Sequence, residues 1–393
     1  MTSPGSRPPS DRAHLGEVAR LFLKLGVIAF GGPAAHIGLM RQEVVQRRQW
    51  LSDQQFLDLL GASNLIPGPT STELAIYLGY TRAGPLGLLL AGLLFILPAM
   101  LLVLAFAWAY VQFGSTPQVG ALLYGIKPVI VAVILQAIYG LLQTAIKRRW
   151  LLGLVVVLTI IIYLAGVNPL VPLFGLAIVV ALVDNRTRVL ALRRGLPLAI
   201  PALPALQLAT PAAVASSPSL GVLFLTFLKI GAILYGSGYV LLAFLHDDFV
   251  GRLGWLSDQQ LLDAIAVGQF TPGPVFTTAT FIGYLIGSWP GALVATIGIF
   301  LPSFVFVALV FPLVPRLRAS PWTSAFLDGA NAAAIGLMAA VVWQLATSSI
   351  VDPLTIVLLL AAAVLLIRYR LNSAWLVLAG GATGLLAGAL RPA

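Results

Sequence analysis

The sequence predicts an all-α polytopic membrane protein of two homologous halves arranged as inverted repeats. Each half should hold about five transmembrane helices and a re-entrant helical hairpin broken at Pro-Gly-Pro. Composition gives the first reason: hydrophobic residues make up 59% of the 393 residues and charged residues only 9%, with a mean hydropathy of +0.98. A soluble protein carries roughly 25% charged residues. The second reason is that the apolar stretches run unbroken at helical length, unlike the ~10-residue alternating segments of a membrane β-barrel. The third is an internal repeat. Phe22-Leu23-Lys24-Leu25-Gly26 returns as Phe227-Leu228-Lys229-Ile230-Gly231, and Trp50-Leu51-Ser52-Asp53-Gln54-Gln55 returns unchanged from Trp255 to Gln260. Pro67-Gly68-Pro69 returns as Pro272-Gly273-Pro274, and all three pairs share one offset.

Composition also excludes whole classes of chemistry. With no cysteine, disulfides, thiolate metal sites and cysteine nucleophiles fall away. The histidines are His14, His36 and His246, and no two share a helix face at metal-ligand spacing, so neither a metal nor a cofactor is expected. The formal charge of +10 would suggest nucleic acid in a soluble protein. Here it reports arginines in cytoplasmic loops, and the expected partner is the lipid bilayer.

Residues 1–14 form a polar tail with no small-residue cleavage site, expected as a mature terminus rather than a signal peptide. The first repeat, 15–184, carries apolar helices at about 15–38, 85–112, 119–146, 150–165 and 168–184, most near the ~20 residues a span needs. Between the first two lie 53–66 and 70–81, each too short to cross and separated by Pro-Gly-Pro. Such a pair reads as a re-entrant hairpin, tolerated where protein covers it or where it lines a cavity. A basic, Pro/Ala-rich linker follows at 185–220. The second repeat, 221–393, places helices at about 221–244, 290–313, 325–347, 350–367 and 372–390. Gly380-Gly381, Gly384 and Gly388 permit close packing within one chain or in a homodimer.

Loop charge sets an orientation. Arg47-Arg48, Lys147-Arg148-Arg149 and the linker arginines fall on one side if the first half crosses five times, which makes that side cytoplasmic. The second half carries His246-Asp247-Asp248 where the first has arginines, and its basic groups (Arg316, Arg318, Arg368, Arg370) sit at the opposite helix ends. An inverted second copy, with both termini periplasmic, is the expectation.

Lys24 and Lys229 occupy equivalent places inside apolar helices, each followed by a break (Gly31-Gly32; Gly236-Ser237-Gly238). A charge there costs about 2.5–3.5 kcal/mol on insertion scales, so its duplication points to cations facing the interior rather than snorkelling. After each Pro-Gly-Pro a helix should begin with free N–H groups and hydroxyls: Thr70, Ser71 and Thr72 in one copy, Thr277 and Thr278 in the other. Two such N-termini would make an anion site between the repeats. The Trp-Leu-Ser-Asp-Gln-Gln blocks read as structural, with Ser52 and Ser257 as N-caps. Glu73, replaced by Thr278 in the second copy, and Asp328 are candidates for proton coupling.

The blocks 22–45, 49–80 and 125–134, with 227–245, 255–287 and 329–338, resemble the chromate ion transporter family in its long, two-domain form. The resemblance implies an inner-membrane secondary transporter that exports chromate, driven by the proton-motive force or by anion exchange. Lys24, Gly31, Gly32, Pro67, Gly68, Pro69 and their counterparts would fall in its signature segments. Residue chemistry alone favours an oxyanion and leaves chromate and sulfate equal. An anion channel and a lipid-phosphate enzyme are the rival classes; the enzyme would need a nucleophile beside a base, which the histidine positions do not offer.

Overall fold

The computed structural model describes residues 12–30, 32–148, 150–186, 218–235, 240–310, 320–369 and 371–390. These form fourteen α-helices and no strand. The first half contributes α1 (Arg12–Ile28), α2 (Gly32–Arg41), α3 (Asp53–Ser63), α4 (Thr70–Phe113), α5 (Pro117–Arg148), α6 (Trp150–Leu164) and α7 (Leu170–Asp184). The second contributes α8 (Leu220–Ile233), α9 (Leu241–Leu245), α10 (Asp258–Phe270), α11 (Thr278–Val310), α12 (Pro321–Ser349), α13 (Pro353–Tyr369) and α14 (Ser373–Leu390). Every helix has its counterpart seven helices later. Even the π-helical turns recur, at Gln42–Arg47 after α2 and His246–Arg252 after α9. Five helical segments are long and apolar enough to cross a membrane: 70–113, 117–143, 275–309, 321–349 and 373–390.

The continuous helices expected at 15–38 and 221–244 are each interrupted. α1 stops at Ile28 and α2 begins at Gly32, whose φ of 78° no helix accommodates. α8 stops at Ile233, and α9 resumes at Leu241. Hydropathy continues through both interruptions, which is why it does not reveal them.

α3 and α10 begin as expected. Ser52 and Ser257 each accept from the backbone N–H three residues on, while Gln55 and Gln260 close a full capping box. α4 runs 44 residues without being one rod. Ala83 and Gly84 leave helical geometry, and a Cβ added at Gly79 would lie 2.3 Å from the Gly87 carbonyl oxygen. Residues eight apart in a straight helix are separated by about 12 Å, so the chain reverses here. Residues 70–82 are therefore a half-helix packed against the spanning limb 85–113. α11 repeats the reversal at Gly287-Ser288, bringing Gly283 against Gly291.

The halves interlock. α1 packs on α4 and α8 on α11, while α4 and α11 meet each other at the centre. α5 packs against α13 and α14 of the opposite half, and α12 reciprocates against α6 and α7. The glycine run near the C-terminus serves that exchange: Gly380 and Gly384 bring the α14 backbone against Gly125 of α5. Small residues let two helices approach in lipid, where no hydrophobic force drives them together.

Candidate functional site

The Pro-Gly-Pro breaks are tied across the halves. Gly68 donates its N–H to the Leu234 carbonyl at 2.7 Å, and Gly273 donates to the Ala29 carbonyl at 2.8 Å. Ala29 and Leu234 are equivalent residues, each just past the end of its half's first helix. Each break is thus fastened to the interrupted first helix of the other copy, and both are buried. Gly68 is required by its neighbours as well as by its φ of +136°: a Cβ there would lie 2.3 Å from Glu73 Oε1 and 2.7 Å from Ser303 Oγ. Pro69 is the N-cap of α4, Pro274 is the N-cap of the 3-10 turn Val275–Thr277 that leads into α11, and neither supplies a side-chain acceptor. At the first break this leaves the Thr70 and Ser71 N–H groups at the positive end of the helix dipole, while those of Thr72 and Glu73 bond the Pro69 carbonyl; at the second, the Thr277 N–H bonds the Pro274 carbonyl.

The breaks differ in chemistry. At the first, Glu73 is fully buried and neither carboxylate oxygen has a hydrogen-bond partner among the described residues. Among the described residues the buried Thr72 hydroxyl is equally without a partner, and the buried Ser303 hydroxyl has only the Glu73 carboxylate beside it. Ser71 Oγ lies 3.3 Å from His36 Nδ1, while His36 Nε2 lies 3.0 Å from the Ala29 carbonyl. A carbonyl only accepts, so Nε2 carries the proton and Nδ1 accepts from Ser71. At the second break, Leu241 stands for His36, Phe276 for Ser71, Thr278 for Glu73 and Ala99 for Ser303. Thr277 and Thr278 donate back to the Pro274 and Val275 carbonyls, each at 2.8 Å. Their hydroxyl protons are thus engaged by backbone carbonyls, contrary to the expectation of free donors. Among the described residues, only the first break presents buried side-chain polar atoms without a hydrogen bond.

The lysines also depart from expectation. Lys24 donates to Glu43 at 2.7 Å, and Arg47 and Arg48 approach the same carboxylate at 2.9 Å and 3.4 Å. Lys229 donates to Asp248 at 2.5 Å, with Arg252 at 3.0 Å. Each lysine therefore fastens its half's first helix to the π-helical turn, rather than standing as an unpaired interior cation. The acid recurs as Glu in one copy and Asp in the other, a signal that strict residue matching passes over. Burial works to raise the Glu43 pKa, but Lys24, Arg47 and Arg48 hold it below the ordinary carboxylate range. Asp247, beside the second staple, is pushed up to about 6 by burial and by Asp248.

Asp328 is half-buried on α12 and engaged by neighbours, unlike Glu73. Gly31, Gly236, Ser237 and Gly238 lie outside the described residues. Among the described residues no group of three or more His, Asp or Glu could hold a metal ion. His36 is the site residue that sequence reasoning missed; its replacement by Leu241 in the other copy was the available signal.

A family model described as chromate transporter matches residues 16–182 and 221–385. The chain is 35% identical to the chromate transport protein of Cupriavidus metallidurans, across 97% of this chain and 95% of that protein. It is 34% identical to a probable chromate transport protein of Synechococcus elongatus, across 86% of each chain. It is 33% identical to the chromate transport protein of Pseudomonas aeruginosa, across 93% of this chain and 90% of that one. No solved structure matches it.

Proposed function

The chain belongs to the chromate transporter family, and from that premise we propose that it carries chromate, or a sulfate-like tetrahedral dianion, out of the cell. Transport is driven by the proton-motive force or by exchange against another anion. The observation that supports a defined site is the first break: a helix N-terminus with no side-chain cap, the buried Thr72 hydroxyl without a partner among the described residues, and the buried Ser303 hydroxyl. A dianion in a low-dielectric interior is costly unless donors and positive dipoles meet it. Thr70 and Ser71 would offer backbone N–H groups, Thr72 and Ser303 hydroxyls, and Gly68 the close backbone approach. Lys24 and Lys229 act in this reading by holding the interrupted helices rather than by touching the anion.

We further propose the inverted orientation, with both termini periplasmic and the 185–220 linker cytoplasmic. Reporters near residues 45 and 250 should then lie on opposite faces; the same face for both would reject it. Uptake of labelled chromate into everted vesicles tests the transport itself. Saturable uptake that unlabelled sulfate competes away and that trans-anion stimulates fits a carrier. Uptake linear in concentration would indicate a channel, and phosphate released from lipid an enzyme.

A further inference from the structure

Glu73 is the fourth residue of α4, and its carboxylate folds back over the Pro-Gly-Pro turn that starts the helix. Oε1 would sit 2.3 Å from a Cβ on Gly68, so the acid already lies against the helix N-terminus proposed above for the oxyanion. The groups around it are Tyr77 on the same helix, Ser303 on α11, and Tyr235 just past the end of α8. No cation pairs with it among the described residues. A buried carboxylate that, among the described residues, has no counter-charge and only the Ser303 hydroxyl for polar company is among the costliest arrangements a protein holds. Two species can relieve it: a proton on the carboxyl, or a shift of the side chain. The second copy shows what the fold itself requires, because Thr278 fills the equivalent position and donates its hydroxyl back to the Val275 carbonyl. The acid at 73 is therefore dispensable for the turn.

We propose that Glu73 is a built-in anion whose protonation admits the oxyanion to the first break, so that one proton binds with each substrate dianion. The proposal rests on the transport reading above. Ionised Glu73 and a bound dianion would share one N-terminus with no intervening cation, and like charges in low dielectric repel strongly. A neutral Glu73 removes that repulsion and gains an O–H donor that the dianion can accept. Linkage makes the effect reciprocal: if the proton favours the anion, the anion favours the proton by the same factor. Proton and oxyanion would then cross together as a net single negative charge, so the export proposed above would draw on an inside-negative membrane potential while an inward proton gradient opposes it.

The test compares wild type with Glu73→Gln, the neutral analogue of the protonated acid, in purified protein and in reconstituted vesicles. Because chromate itself takes up a proton near neutral pH, the readout is the ratio of wild-type to variant Kd for labelled chromate at each pH. That ratio should be near one in acid and rise by up to about tenfold per pH unit once Glu73 ionises, the slope of a single linked proton. In vesicles, a pH gradient should drive accumulation by wild type, while Glu73→Gln should exchange chromate without responding to the gradient. Glu73→Thr, the residue of the second copy, repeats the comparison in a side chain this fold already accepts at that place. A ratio that stays constant with pH, or a variant that still accumulates chromate on a pH gradient, overturns the inference and leaves the transport reading standing. Wild type that binds and moves no chromate at any pH overturns both.

Discussion

Ser288 sits at the reversal of α11 with φ 51° and ψ −145°, a region populated essentially by glycine. Its counterpart Gly84 adopts nearly the same angles at the reversal of α4, φ 63° and ψ −153°. A side chain there costs of order 1–3 kcal/mol. Ser288→Gly should therefore stabilise the protein by about 1 kcal/mol or more, read as a higher Tm in detergent; a lower Tm would contradict this. The same scale marks the limit of the sequence. Thr72 and Thr277 are indistinguishable by type and offset, yet among the described residues one hydroxyl is unpartnered and the other donates to the Pro274 carbonyl. Which of two equal hydroxyls is free depends on ångström-level backbone placement, which no pattern of residues encodes. Glu73 was legible, because an acid in one copy and a threonine in the other is a difference of chemistry.

At the scale of elements, the half-helices, their Pro-Gly-Pro breaks and the serine caps follow directly from breaker and capping chemistry. The interruption of the first helix in each half is marked only by Gly31-Gly32 and Gly236-Ser237-Gly238, and hydropathy runs through it, so helix bounds drawn on hydropathy pass over it. The lysine staples explain what those interrupted pieces need. Lys24→Gln should lower thermal stability and the amount of folded protein, while transport per folded molecule keeps its concentration dependence. A weakened chromate affinity with unchanged Tm would show instead that the ammonium meets substrate. The Glu43 staple also carries a pH signature. Its carboxyl is held below the ordinary range in the fold, so its stabilisation is present above the unfolded value of about 4.3 and is lost as pH falls through the folded one. The Tm gap between wild type and Glu43→Gln should be wide at about pH 7 and close at lower pH, below the folded value. A gap independent of pH would show that the ion pairs contribute little.

The whole molecule is two copies that cannot be separated without exposing helix faces, because α5 is covered by α13 and α14, and α12 by α6 and α7. Repeat and hydropathy made the two halves legible; they are silent on which half covers which helix, since both packings bury the same residues. Chains divided within the 185–220 linker should transport when co-expressed, and neither half should purify folded alone. A folded, stable single half would contradict the interlock. The pseudo-symmetry also frames the central claim, that two matched breaks hold the fold while only the first meets the anion.

Isosteric substitutions at the matched threonines test that claim most directly, with labelled chromate binding and Tm measured on the same samples. Thr72→Val removes a hydroxyl with no partner among the described residues, so stability should hold while affinity falls about tenfold to a hundredfold, the worth of a hydrogen bond to a charged group. Thr277→Val removes a hydrogen bond to the Pro274 carbonyl, so it should cost about 1 kcal/mol of stability and change affinity by less than about twofold. Equal losses of affinity at both positions, or a loss at Thr277 alone, would contradict a one-sided site.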